Sequence, residues 1–133
     1  MILIETRNSL PLPLCDQTVW SCLVPLYHVF GFVGVSVLGA LCKCEVGFPH
    51  PGFSSDMALN GIEARGATVM SGTPTMIIDI IANEDRESYD YSTLRYLSVG
   101  GAPVTRSLIR DCQSKLNSQV ELVFLIIQLF WHR

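Results

Sequence analysis

The chain has 133 residues, a formal net charge of −3, 49% apolar residues and only 16% charged ones. That length makes it one domain or part of one, and the acidic balance excludes a phosphate-tracking nucleic-acid binder, which needs a basic face. So high an apolar share points to elements buried on both faces, or to a surface meant to be covered by further protein.

Cysteine usage bounds the compartment. There are five (Cys15, Cys22, Cys42, Cys44, Cys112), an odd number. Met1 to Glu5 is apolar, but Glu5 and Arg7 interrupt it before a secretory core forms. Free thiols in a reducing, intracellular compartment are therefore expected. Cys42-Lys43-Cys44 has the look of half a metal site, yet no second Cys or His pair stands at zinc spacing. Buried core thiols are the better reading, and no metal site is expected.

Gln17 to Cys42 carries no formal charge apart from His28 and is long enough to raise a membrane span. Pro25, Tyr27 and His28 break it in the middle, and Gly31, Gly34 and Gly39 loosen its second half. A strand, a turn and a buried helix account for the same residues without a bilayer. No transmembrane segment is expected.

In chain order, Thr18 to Val24 is β-rich and apolar, and Pro25 ends it. Val29 to Leu41 is long enough for a helix whose small residues permit close packing. Lys43 to Phe48 predicts a short strand, followed by a loop through Pro49, Pro51 and Gly52. Ser54 or Ser55 then offers an N-cap, Asp56 sits where it favours the helix dipole, and Gly66 is a natural stop. Ala67 to Met70 predicts a strand. Thr73-Pro74 is a cap followed by proline at the first helical position, with the helix running to Ala82.

Asn83 to Thr93 is polar and charged and reads as a solvated loop. Leu94 to Val99 predicts a strand ending in Gly100-Gly101. Thr105 caps a helix to Leu116 in which Leu108, Ile109, Cys112 and Leu116 form an apolar stripe. Val120 to Ile127 predicts a last strand, apolar as a strand buried on both faces should be. Strict alternation of strand and helix implies an α/β fold: a mostly parallel sheet with right-handed crossovers and helices on its faces.

In such a sheet, ligands sit outside the carboxyl ends of the strands. Three short motifs fall at such ends: Tyr27-His28 after the first strand, Gly72-Thr73-Pro74 after the third, and Gly100-Gly101-Ala102-Pro103 after the fourth. They are expected to converge on one edge, with glycines that let a flat ligand or an acyl chain approach the backbone. Each motif has a plainer reading. A lone histidine is more often a hydrogen-bonded core residue, Gly-Thr-Pro a capped helix start, and Gly-Gly-Ala-Pro a tight turn. Order and spacing carry the weight.

That order resembles the AMP-forming acyl-CoA synthetases of the adenylate-forming ligase superfamily, the medium-chain type in particular. The matching phrases are Leu26-Tyr27-His28 with Gly31, Gly72 to Met76, Tyr89-Asp90-Tyr91-Ser92-Thr93-Leu94-Arg95, and Gly100 to Val104. The resemblance implies an internal piece of the family's N-terminal domain: an unassigned leader at residues 1–18, a partial synthetase domain at 19–127, and a divergent tail at 128–133. It also implies the chemistry of a fatty acid–CoA ligase. ATP and a carboxylic acid give an acyl-adenylate and pyrophosphate, and the thiol of CoA then displaces AMP. His28 would lie near the reacting carboxylate. Tyr27, Gly72, Thr73, Pro74 and Gly100 would contact the acyl substrate, and Gly101-Ala102-Pro103 would meet the adenine.

ATP, Mg²⁺ and CoA are the cofactors and partners the resemblance implies, with fatty acid as substrate and, for the medium-chain type, a mitochondrial location. The family holds its triphosphate in a Gly/Ser/Thr-rich loop with a lysine; Thr6 to Leu14 contains no glycine that would cradle phosphate. Nor does a Tyr-Gly-x-Thr-Glu turn come after the last strand. Loss of the groups that stabilise a transferring phosphoryl costs several orders of magnitude in rate. The chain alone is therefore expected to be inactive and to hold none of these cofactors tightly. The alternative is a non-catalytic isoform that binds acyl ligands or partner chains, since exposed sheet edges invite pairing, including with a second copy. An unrelated doubly wound domain of flavodoxin or receiver type would need acidic residues or a phosphate loop where this chain has Pro25-Leu26-Tyr27-His28.

Overall fold

The computed structural model describes residues 12–122. The elements alternate as the pattern predicts: β1 (Val19–Cys22), α1 (Phe30–Val37 continuing through Leu38–Leu41), β2 (Glu45–Gly47), α2 (Ser55–Arg65), β3 (Val69–Gly72), α3 (Pro74–Ala82), β4 (Tyr96–Val99), α4 (Arg106–Lys115) and β5 (Gln119–Leu122). The five strands form one parallel sheet in the order β2-β1-β3-β4-β5. Register sets Val19 opposite Glu45, Trp20 opposite Val69, and Val69 opposite Tyr96.

The strand order explains the layers. From β1 the chain steps outward to β2, then returns past β1 to β3 and continues the other way. Crossovers of constant right hand therefore place α1 on one face and α2, α3 and α4 on the other. The two cores agree. Ala58, Leu59 and Ile62 of α2, Ile77 and Ile80 of α3, and Leu108 and Cys112 of α4 pack with Met70, Leu97 and Val99. Phe30, Val35 and Leu38 of α1 pack with Trp20, Cys22 and Val69. Alternation along β3 and β4 divides their side chains between the two cores.

Local chemistry fixes the helix ends. The Thr73 hydroxyl accepts the Met76 N–H (3.4 Å) with Pro74 at the first helical position. The Thr105 hydroxyl accepts the Leu108 N–H (3.2 Å). Ser54 is the N-cap of α2 but makes no side-chain cap bond. Instead Asn83, just past α3, donates its amide to Ser55 Oγ (2.9 Å) and Asp56 Oδ1 (2.8 Å), lashing the two helices together. At the other end Gly66 takes φ 62°, the left-handed cap that glycine adopts without strain.

β1, β2 and β4 are each shorter than the sequence suggests, and three further boundaries differ for particular reasons. β3 begins two residues later than Ala67, because the Ala67 N–H bonds back to Ile62 O (3.1 Å) as part of the helix exit. It also runs on to Gly72, where an added Cβ would lie 3.2 Å from Ile77 Cδ1. The absence of a side chain lets the strand end flush beneath α3. The helix after the first turn is wide: Phe30–Val37 is π-helical and only Leu38–Leu41 is α-helical. The last strand is Gln119–Leu122, and the remainder of the expected span to Ile127 lies outside the described residues. Among the described residues no helix is long and apolar enough to cross a membrane.

Candidate functional site

A strand order that reverses direction leaves a crevice at the carboxyl ends of the two strands where it reverses, here β1 and β3. A groove of about 420 Å³ lies beside it, at the carboxyl ends of β1 and β2. One wall is the segment after β1, from Leu23 to Tyr27; Met76 of α3 contributes from the β3 side. The other lip is the loop after β2, with Phe48, His50 and Phe53, and the Cys22 side chain reaches the groove from the end of β1. No residue lining it carries a formal charge.

The strand ends that lead into the first two motifs are joined, β1 to β3. Leu23 N–H donates to Ser71 O (3.0 Å), and a Cβ on Gly72 would sit 3.6 Å from Leu23 Cδ1. Gly100 N–H donates to Gly72 O (3.3 Å), so the second and third motifs are adjoining turns. Gly101 takes φ 87°, a left-handed conformation suited to glycine, and Thr73 Cγ2 lies 3.8 Å from where its Cβ would be. Ala102 and Pro103 come next, both exposed. Pro74 is buried as the first residue of α3. Gly72, Thr73, Gly100 and Gly101 thus form one surface beside the groove rather than its lining.

Tyr27 lines the groove and is 93% exposed. His28 stands one residue further along and is exposed, not the core histidine of the plainer reading. Its Nδ1 accepts the Phe30 N–H (3.2 Å), which caps the start of α1 and orients the ring. A neutral imidazole accepting at Nδ1 carries its proton at Nε2, so the outward nitrogen is a donor. The turn is held by Gly31, whose absent Cβ would meet Pro25 O at 2.4 Å. Gly31 thus completes the Leu-Tyr-His motif for a steric reason: α1 begins directly on the Pro25 carbonyl.

Sequence reasoning missed His50, Phe48 and Phe53. The sequence offered only that they follow a strand; that β2 is β1's parallel neighbour comes from the sheet order. His50 Nδ1 accepts the Gly52 N–H (3.1 Å), which folds this lip over. The Tyr89 to Arg95 phrase turns out to be a brace. Thr93 Oγ1 donates to Ala67 O (2.9 Å), Asp90 N–H to Glu63 Oε1 (3.3 Å), and Tyr91 OH to Lys115 O (3.4 Å). Ser92, through its hydroxyl and its N–H, holds the Asp90 carboxyl below its usual range.

Cys22 is buried at the foot of the groove. Burial pushes its thiol up to about 11, with a smaller opposing effect from the Val24 backbone, and the thiol donates to Val24 O (3.4 Å). Fit to the cofactors divides. A flat ring can lie against the Cβ-free turn at Gly101. The groove and the turns beside it contribute no lysine or arginine to hold a triphosphate. Among the described residues no group of His, Cys, Asp or Glu is arranged to hold a metal ion. No catalytic step through ATP or Mg²⁺ is derived from these residues.

This fold and edge define a class. The AMP-binding enzyme profile matches residues 3–131, and the chain belongs to that family, which is related to the acyl-CoA ligases. The medium-chain acyl-CoA ligase ACSF2, mitochondrial, of Mus musculus is 32% identical over 122 residues, covering 92% of this chain and 20% of the relative. The chain therefore spans about a fifth of the length of such relatives. Its fold matches the inhibitor-bound N-terminal domain of FACL13 from Mycobacterium tuberculosis with TM-score 0.79 at 18% identity, over 92% of this chain and 30% of that one. It also matches O-succinylbenzoate coenzyme A synthetase (MenE) from Bacillus subtilis in complex with ATP and magnesium ion. There the TM-score is 0.71 at 22% identity, over 90% of this chain and 23% of that one.

Proposed function

We propose that this chain is the acyl-recognition portion of a medium-chain fatty acid–CoA ligase, with the partial synthetase domain at residues 19–127. The observation that carries the reading is the uncharged groove at the carboxyl ends of β1 and β2, lined by Leu23, Leu26, Tyr27, Phe48, Phe53 and Met76. An aliphatic chain gains by burying its methylenes there, at about 0.8 kcal/mol each. The His28 Nε2–H donates to the carboxylate at the groove mouth. Thr73 and the Gly100 turn border the reacting end, and Gly101-Ala102-Pro103 offers the adenine its flat backbone surface. The name of the mouse relative supports both the medium-chain class and a mitochondrial location.

On its own the chain binds an acyl chain weakly and does not form an adenylate, because the groove and the turns beside it contribute no lysine or arginine for the triphosphate. The test is twofold. Binding of octanoate and decanoate to the full 133-residue chain, monitored by calorimetry, is expected and should weaken on Met76→Asp. Acid-dependent ATP–pyrophosphate exchange is expected to be absent. Exchange above the no-protein rate would refute the inactivity, and equal binding by the Met76→Asp variant would refute the groove.

A second reading, a non-catalytic binding module, is favoured by the exposed Leu26, Val29 and Phe32 beside Tyr27 and by the three-residue edge strand β2. Self-association through such surfaces would appear as a concentration-dependent mass in light scattering. A constant monomer mass would count against it.

A further inference from the structure

At the end of the sheet opposite the groove, two cysteines flank one threonine. Residues Cys15 to Thr18 form a tight turn: Thr18 N–H donates to Cys15 O (3.0 Å), and Cys15 N–H donates to Thr18 Oγ1 (3.1 Å). The turn brings Cys15 Sγ to 3.8 Å from Thr18 Oγ1. Across the ladder, Glu45 N–H donates to Thr18 O (2.9 Å), and Val19 stands opposite Glu45. Cys44 is therefore Thr18's neighbour on the next strand, at roughly the 4.8 Å spacing of paired strands.

The other cysteines are placed differently. Cys42 is buried at 4% exposure, Cys22 lies at the far end of β1, and Cys112 is in the core beneath α4. Cys15 is exposed and Cys44 half-buried. One thiol of the pair is open to a reagent, and the second waits beside it.

We propose that Cys15 and Cys44 are a dithiol modification site that closes to an intrachain disulfide on reaction with a low-molecular-weight disulfide such as oxidised glutathione. The Cys15 thiolate attacks one sulfur of the reagent, breaking its S–S bond and releasing one glutathione thiolate. The Cys44 thiolate then attacks Cys15 Sγ of the mixed disulfide and releases the second. The protein loses two electrons and two protons, and one glutathione disulfide becomes two glutathione thiols. Burial, and next the neighbouring Cys42, raise the Cys44 thiol above its ordinary value, so the second step accelerates with pH. The closed loop encloses β1, the Tyr27-His28 turn and α1, and fastens the segment before β1 to edge strand β2.

The experiment oxidises the reduced full chain with oxidised glutathione, blocks the remaining thiols and maps disulfides by mass spectrometry. The expected result is a dominant Cys15–Cys44 linkage, reversed by dithiothreitol, lost in Cys15→Ser and Cys44→Ser, and retained in Cys42→Ser. In urea the selectivity should vanish. The linked form should melt roughly 5–10 °C higher than the reduced one. Dominance of a Cys42–Cys44 pair, of pairs involving Cys22 or Cys112, or recovery of both Cys15 and Cys44 as alkylated thiols would overturn the proposal. Cys15→Ser changes an exposed position, so it reads out the pairing even if Cys44→Ser fails to fold.

Discussion

Gly31→Ala tests whether the Tyr27-His28 turn is held by contact between α1 and the Pro25 carbonyl. An added Cβ would lie 2.4 Å from Pro25 O, 2.9 Å from Pro25 C and 3.0 Å from Val24 O. All three are backbone atoms, so no rotamer change relieves the overlap. To restore ordinary van der Waals separation, helix or turn must retreat by on the order of 1 Å. Overpacking of this kind costs about 1–3 kcal/mol and at times more, while alanine's helix preference over glycine returns about 1 kcal/mol. With three backbone atoms overlapped at once the cost falls at the upper end, so a net loss of about 2 kcal/mol is expected, a large share of an ordinary domain's stability. The assay is urea unfolding monitored by Trp20 fluorescence, in a Trp131→Phe background that leaves the buried Trp20 as the reporter. A midpoint lowered by roughly 1 M urea is the expected size. Gly52→Ala is the control, since its Cβ would find nothing nearer than His50 Nδ1 at 3.9 Å. Should Gly31→Ala match the parent while Gly52→Ala does too, the steric account of the motif glycine is refuted.

Three further outcomes are expected from the packing. Thr105→Ala removes a side-chain cap and should cost about 1 kcal/mol, whereas Ser54→Ala, which loses no cap bond, should cost a few tenths; paired urea curves compare them. Ser21 Oγ is buried with no hydrogen-bond partner among the described residues, against a cavity of about 40 Å³ between β1 and α2. Ser21→Ala should leave stability unchanged or raise it by about 1 kcal/mol, and a clear loss would contradict that. Burial raises the Cys22 and Cys112 thiols to about 11 from 9.0. Their folded values lie above the unfolded ones, so their stabilisation is complete below pH 9 and lost as pH climbs to 11, by roughly 2–3 kcal/mol each. Comparing Cys112→Val with the parent across that range should show a flatter pH dependence in the variant.

Periodicity and punctuation made the alternation of strands and helices legible, because glycine, proline and threonine sit where the backbone turns. Thr73-Pro74 and Thr105 behave as read, since a cap is a local interaction. The start of β3 falls later than the pattern suggests because helix exit and strand entry compete for the same residues, and the Ala67 to Ile62 bond decides between them. The π-helical winding of α1 leaves no mark in apolar spacing. His50 and Phe53 were missed for a different reason: membership of the groove depends on β2 lying beside β1, and strand order is a property of the whole sheet. His28's exposure likewise depends on how α1 meets the turn.

Trp20 of β1 donates its indole N–H to Ser71 of β3 at 2.7 Å, both side chains buried. The bond ties the two strands beneath the groove at a fixed offset, so neither can slide along the other without stranding a polar group in the core. The crevice therefore behaves like a vice with one fixed jaw, made of β1, β3 and the turns at their carboxyl ends. Any adjustment to ligands of different length falls to the opposing jaw, the Phe48 to Phe53 loop. That loop hangs from a three-residue strand at the margin of the sheet.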